Sequence, residues 1–110
     1  MLEKEIEKQL VQKVKKLGGR AYKFVSPGNV GVPDRLVVLP GGKIGFAELK
    51  QKGKQPTQYQ TLQIGRLMNM GCFVMVVDSE EKIDLFLQCL KEVSDHATKI
   101  RTPRLPTLLH

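Results

Sequence analysis

The chain has no tryptophan, two cysteines, and only two tyrosines and four phenylalanines among its 110 residues. Cys72 and Cys89 stand in apolar surroundings without metal-ligand or redox spacing. That excludes a disulfide-stapled scaffold and predicts two buried thiols in a cytoplasmic protein. His96 and His110 add no zinc-ligand spacing to them, and Ser26 has no base partner nearby. Zinc chemistry and a serine nucleophile both drop out. No run approaches the roughly 20 apolar residues that span a bilayer. The opening Met1-Leu2-Glu3-Lys4-Glu5-Ile6-Glu7 alternates charge with apolar residues and does not read as a secretory leader. Two separately cored domains do not fit in this length. Acids are also in short supply, eleven against eighteen Lys and Arg, for a net charge of +7. At 41% hydrophobic content the chain is too apolar for disorder, so the charge belongs to a folded domain with a polyanionic partner. A membrane surface would call for a basic amphipathic helix, and the helix-like segments here mix both signs. Nucleic acid is the expected partner.

What is there divides at clear punctuation. Ile6, Leu10, Val14 and Leu17 recur at helical spacing over residues 2–17, and Gly18-Gly19 ends the pattern. Residues 20–25 read as a strand, and Ser26-Pro27-Gly28-Asn29-Val30-Gly31-Val32-Pro33 as a loop. Two β-prone runs, 34–39 and 43–50, flank Pro40-Gly41-Gly42 and form a hairpin. After a polar, basic loop, Pro56 suits the first position of a helix that runs to about Met70 and stops at Gly71. Residues 72–77 read as a strand buried on both faces. Asp78 with Glu81 resembles a capping box that opens a last helix through about Val93. The expected order is α-β-β-β-α-β-α, one α/β domain over residues 1–94 with a mixed sheet flanked by helices. Residues 95–110 form a basic, proline-broken tail.

Chemistry concentrates at the open end of the hairpin. Ile44, Phe46, Glu48 and Lys50 share one strand face, and Asp34 begins the partner strand. A strict two-residue turn would pair position 34 with 49 and put Asp34 on the wrong face. A three-residue loop or a bulge brings it opposite Glu48. Two carboxylates a few ångströms apart repel unless a hard cation lies between them, and Mg²⁺ takes a few carboxylates with water and phosphate oxygens. A neighbouring lysine can hold the attacking water and offset charge on the phosphate. The pattern is that of metal-assisted phosphodiester hydrolysis.

Pro33-Asp34, thirteen intervening residues and Glu48-Leu49-Lys50 resemble the signature of the PD-(D/E)xK nucleases, and the element order matches their restriction-endonuclease-like core. The surrounding words are more specific. Gly18-Gly19, Tyr22-Lys23-Phe24, Ser26-Pro27-Gly28, Gly31-Val32-Pro33-Asp34-Arg35, Pro40-Gly41-Gly42 and Phe46-Ala47-Glu48-Leu49-Lys50 together look like the VRR-NUC family, with Gln60 and Gly71 fitting as well. The likeness runs from about Glu3 to Leu87 and is to the stand-alone members found largely in phages and bacteria. It implies Asp34 and Glu48 as metal ligands, the Leu49 carbonyl as a further metal contact and Lys50 as the catalytic lysine. The metal would be Mg²⁺, with Mn²⁺ able to substitute. It also implies an acid on the first helix and a Gln on the helix after the motif strands.

The residues themselves bear on those last two. Gln60 lies on the Ile64–Leu67 stripe, where an inward amide needs a partner. Glu3 shares a stripe with Ile6, Leu10 and Leu17, whereas Glu7 lies on its edge and Glu5 points away, so Glu3 is preferred. Lys23, Arg35, Lys52 and Lys54 are expected to ring the site as phosphate contacts. The loop from Ser26 through Gly28 to Gly31 can bring backbone N–H groups to a phosphate. With few aromatics and no recognition-helix pattern, the expectation is DNA held by backbone and shape. The resemblance suggests branched DNA such as four-way junctions, cut by a two-fold dimer. On the last helix Ile83, Phe86, Leu87 and Leu90 make one stripe and Leu85, Cys89 and Val93 another. The second is surplus to one sheet face and is assigned to the dimer contact of the 79–93 helix. A monomeric flap or nicking nuclease and a non-catalytic nucleic-acid-binding module are the alternatives.

Overall fold

The computed structural model describes residues 1–93; the tail expected at 95–110 lies outside them. The order is α1 (Glu3–Lys16), β1 (Arg20–Lys23), β2 (Arg35–Leu39), β3 (Lys43–Leu49), α2 (Gln58–Asn69), β4 (Val74–Val77) and α3 (Glu80–Lys91). This is the expected α-β-β-β-α-β-α order. The four strands form one mixed sheet in the order β1-β2-β3-β4, antiparallel except for the parallel β3–β4 pair.

Strand alternation divides the sheet between two uses. Val37, Leu39, Ala47, Leu49 and Val77 face α1 and α3, meeting Ile6, Leu10 and Val14 from one helix and Ile83, Phe86, Leu87 and Leu90 from the other. That is the core. The opposite face carries Leu36, Val38, Ile44, Phe46 and Glu48, as the β2–β3 register requires. It is covered incompletely, since α2 meets the sheet at β4 and buries none of its own residues fully. Tyr22 and Ile44 are therefore left exposed.

Leu39 pairs with Lys43, so Pro40, Gly41 and Gly42 make a three-residue loop. Gly41 and Gly42 both take positive φ, 89° and 74°, which a residue with a Cβ adopts at a cost. Extended by one pair beyond its last rung, this register sets Asp34 opposite Glu48.

Several expectations are corrected. β4 begins at Val74, and Met75 and Val76 are only half-buried, because β4 lies at the sheet edge; Met75 shares the core face with Val77, and Val76 the face that α2 meets. Pro56 does not start α2. Thr57 is the N-cap, its hydroxyl accepting from the Gln60 N–H at 3.2 Å while Gln60 Oε1 accepts from the Thr57 N–H at 2.8 Å. Ser79, not Asp78, caps α3, accepting from the Lys82 N–H. Cys72 and Cys89 are free but half-buried. The surplus stripe of α3 is smaller than expected: Leu85 is 46% exposed, whereas Cys89 is half-buried and Val93 packs against the core.

Candidate active site

The site is built at the C-terminal end of β3. Glu48 has no exposed surface, and neither of its carboxylate oxygens has a hydrogen-bond partner. The nearest cation is Lys50, whose Nζ lies 3.8 Å from Glu48 Oε2 and whose side chain is 14% exposed. Asp34 approaches from the start of β2, and its Oδ2 accepts the Leu49 N–H at 2.8 Å. Burial, then the charge of Asp34, push the Glu48 carboxyl up to about 8, against an opposing pull from Lys50. Glu3, from the first turn of α1, adds a smaller push in the same direction. The structure thus brings Asp34, Glu48 and Lys50 to one place, and Glu3 is exposed in the first turn of α1.

Two buried, unbonded oxygens on a carboxylate are costly unless something positive meets them. The donors within reach are hard oxygens. The Leu49 carbonyl belongs to the peptide whose N–H, at Lys50, donates to the Val77 carbonyl at 3.0 Å. In a trans peptide the carbonyl then points the other way, toward the β2 side where Asp34 lies. Among the described residues no three or more His, Cys, Asp and Glu side chains form a metal-holding group. The donor set is two carboxylates and a main-chain oxygen, which suits Mg²⁺ with its retained waters.

The remaining predicted residues divide. Gln60 is half-buried, with its amide oxygen engaged in the α2 capping box. The loop before β2 lies against this same turn: a Cβ on Gly31 would come within 2.6 Å of the Tyr59 backbone, so only glycine permits the contact. Ser26 accepts from the Asn29 side chain at 2.9 Å, and Gly28 faces open space with φ at 84°. Lys52 and Lys54 are exposed in the loop after Lys50. Lys23 is exposed too, but the register places it with Ala21 and Arg35 on the helix side of the sheet, away from Glu48.

Arg35 does not serve as an outward phosphate contact. Its side chain is 14% exposed. Nε and Nη2 reach Glu7 Oε2 at 3.0 and 2.9 Å, and Nη1 donates to the Ala21 carbonyl at 2.9 Å. The physical reason is alternation: Arg35 shares the core face with Val37 and Leu39, where a charge needs a partner. That pairing was missed from sequence, although the alternation was there to indicate it. It also occupies Glu7, the other first-helix acid, while Glu5 accepts the Leu2 N–H at 2.8 Å.

No family model matches the chain. It is 57% identical over 79 residues to "Putative nuclease p44" of Acyrthosiphon pisum secondary endosymbiont phage 1, covering 72% of this chain and 85% of that protein. A solved structure described as a VRR_NUC domain superposes with a TM-score of 0.73 at 32% identity, over 78% of this chain and 94% of the other. With the fold, the open-ended hairpin and these two likenesses in hand, the chain belongs to the VRR-NUC family of nucleases.

Proposed function

We propose that the protein is a Mg²⁺-dependent endonuclease that hydrolyses phosphodiester bonds in branched DNA such as four-way junctions, acting as a homodimer in the cytoplasm of a bacterial or phage-infected cell. The observation that carries the reading is Glu48, fully buried with both oxygens unbonded, beside Asp34 and Lys50. Asp34, Glu48 and the Leu49 carbonyl would hold the cation, with Mn²⁺ able to replace Mg²⁺. When bound, such an ion supplies Lewis acidity toward a phosphate oxygen and makes a coordinated water more acidic. Lys50 donates to the attacking water and then to the phosphate oxygens as charge grows there. One P–O bond forms from water, one ester P–O bond breaks, and the proton that the water gives up is matched by the one the leaving oxygen takes. Glu3 is the acid that the first helix would supply, and Gln60 would orient from the first turn of α2. Lys52, Lys54, Ser26 and Gly28 lie on the loops that follow Lys50 and precede β2, placed to hold backbone phosphates without reading bases.

A second reading is a monomeric flap or nicking nuclease. In its favour, α3 retains only Leu85 well exposed and Cys89 half-buried for a partner. Membrane attachment by a spanning helix finds no support, since no described helix is long and apolar enough to cross a bilayer. The deciding experiment is a panel of four-way junction, fork, flap and plasmid substrates with Mg²⁺, run beside sedimentation of the same protein. Paired incision of the junction by a dimer is the expected result, with Glu48→Ala inactive but still binding DNA. A monomer cutting flaps or nicking plasmid instead establishes the second reading, and near-native cleavage by Glu48→Ala removes the site.

A further inference from the structure

The sheet face that carries Glu48 is open over β1 and β2. By register Arg20, Tyr22, Leu36, Val38, Ile44 and Phe46 lie on it, and α2 meets the sheet only at its β4 side. One of these residues stands out among the few aromatics. The four phenylalanines pair off, Phe24 with Phe46 at 5.4 Å between ring centroids and Phe73 with Phe86 at 5.3 Å. Tyr22 joins neither pair and is 51% exposed. Half-buried Val38 and exposed Ile44 extend the apolar floor beside it. Arg20, two residues back along the same face of β1, is exposed and makes no ion pair among the described residues. The Phe24 N–H donates to the Asp34 carbonyl at 2.9 Å, which carries the β1–β2 pairing up to the motif Asp. Strand and residue spacings then put the Tyr22 Cα about 12 Å from that of Glu48, on one face. That is the reach of about three to four nucleotides at 3.4 Å each.

We propose that Tyr22 is a stacking platform for unpaired bases of the DNA strand that leads into the Asp34–Glu48 site, with Arg20 on its phosphate, and that it selects substrates with single-stranded character beside the cut. The inference rests on the reading of the protein as a DNA nuclease, which the dimeric and the monomeric versions share. An open sheet face with an exposed aromatic is a surface on which bases stack, and a neighbouring cation follows the backbone. A paired duplex keeps its base faces inside the stack and has none to offer Tyr22. Asp34 and Glu48 are the acids of the strands and their ends on this face, so away from the site nothing there repels a polyanion.

The test compares a fork with unpaired arms and a fully paired duplex of equal length, bound in chelator so that neither is cut. Anisotropy gives the affinity of the parent chain, Tyr22→Ala and Tyr22→Phe for each. Tyr22→Ala should lose about tenfold or more on the fork, the scale of one base stack, and less than about twofold on the duplex. Tyr22→Phe should match the parent on both, because the ring stacks and the hydroxyl does not. 2-Aminopurine in an unpaired arm should lose fluorescence on binding the parent and keep it with Tyr22→Ala. The substitution trims a half-exposed side chain on an edge strand and spares the core; should it nonetheless fail to fold, the fluorescence of the parent complex decides. Equal losses on fork and duplex overturn the proposal, as does a Tyr22→Phe as weak as Tyr22→Ala or an unchanged 2-aminopurine signal with the parent. So does sedimentation in which Tyr22→Ala turns a dimeric parent into a monomer, since the face then belongs to a second copy. A parent chain that binds neither DNA is a different failure: it removes the reading of a DNA nuclease and takes the platform with it.

Discussion

Glu48 contributes little to holding this domain together. A carboxyl with no exposed surface and no hydrogen bond prefers to keep its proton, and burial with the charge of Asp34 lifts it to about 8 from an ordinary 4.5. That fixes the sign of the stability effect. Between those two values the folded protein holds a proton that the unfolded chain releases, so metal-free stability falls as pH rises from about 5 to 8. The expected melting temperature of the parent chain in chelator therefore declines across that window. Glu48→Gln, which keeps the shape without the charge, should flatten the profile and melt above the parent by about 5 °C or more at pH 8. A thermal scan at four pH values in chelator checks both. Parallel profiles for the two proteins would mean that Glu48 is ionised and compensated in the native state. Arg35 teaches the opposite lesson about reading charge from sequence. Counted with the other cations it reads as a phosphate contact; placed by alternation beside Val37 and Leu39 it reads as a buried pair awaiting an acid. Composition carries only the first of these readings, and Glu7 is far off in the chain.

At the scale of elements, the hairpin was legible because its parity was constrained from both ends. In the absence of a bulge Asp34 and Glu48 meet on one face only if the loop has an odd length, and Pro40-Gly41-Gly42 has three residues. The helix starts were less legible. Pro56, Thr57, Asp78 and Ser79 all suit a helix N-terminus, and only the hydroxyl geometry decides which residue caps. In α2 the choice of cap also decides the setting of Gln60. With Thr57 as N-cap, Gln60 becomes the third helical residue and its amide oxygen closes the box. Capping and a role in the site make separable predictions. Thr57→Ala should cost about 1 kcal/mol of stability and leave cleavage near normal. Gln60→Ala should lower cleavage by about tenfold or more, in line with loss of a positioned hydrogen-bonding group. Melting curves beside specific activity of the folded fraction separate the cases, and equal effects of the two variants would confine Gln60 to capping. β4 was misjudged because an apolar run such as Val74-Met75-Val76-Val77 does not tell whether a helix covers its second face. Here α2 does so only in part, and the strand ends up at the sheet edge.

The whole molecule carries a net charge of +7, but its cations are not equivalent. Lys13 pairs with Asp84 at 2.7 Å between α1 and α3, and Arg35 is turned inward. Lys52 and Lys54 stand in the loop that leaves the active site, exposed to solvent. Affinity for duplex DNA should therefore fall with salt, and the Lys52→Ala, Lys54→Ala double variant should reduce the slope of log K against log [salt] by about 2. Lys13→Ala should leave that slope nearly unchanged. Binding isotherms from low to moderate salt measure both, and equal slopes in the loop variant would move the DNA track to another face.

The three-residue hairpin loop has a consequence for how this protein tolerates changes in length. Surface turns are ordinarily where insertions and deletions do least harm. This turn lies about 17 Å along β2 from Asp34. Loss of a single codon at Gly41 or Gly42 leaves two residues between Leu39 and Lys43, a common hairpin loop, so the strands keep their register. Added codons lengthen the loop at only a small cost in closure entropy. What holds the register is the core: a one-residue slip would turn either Val37 and Leu39 or Ala47 and Leu49 out of it, and Asp34 away from Glu48. Length changes are thus absorbed in the turn, while the packing of the far face keeps the two acids opposite each other.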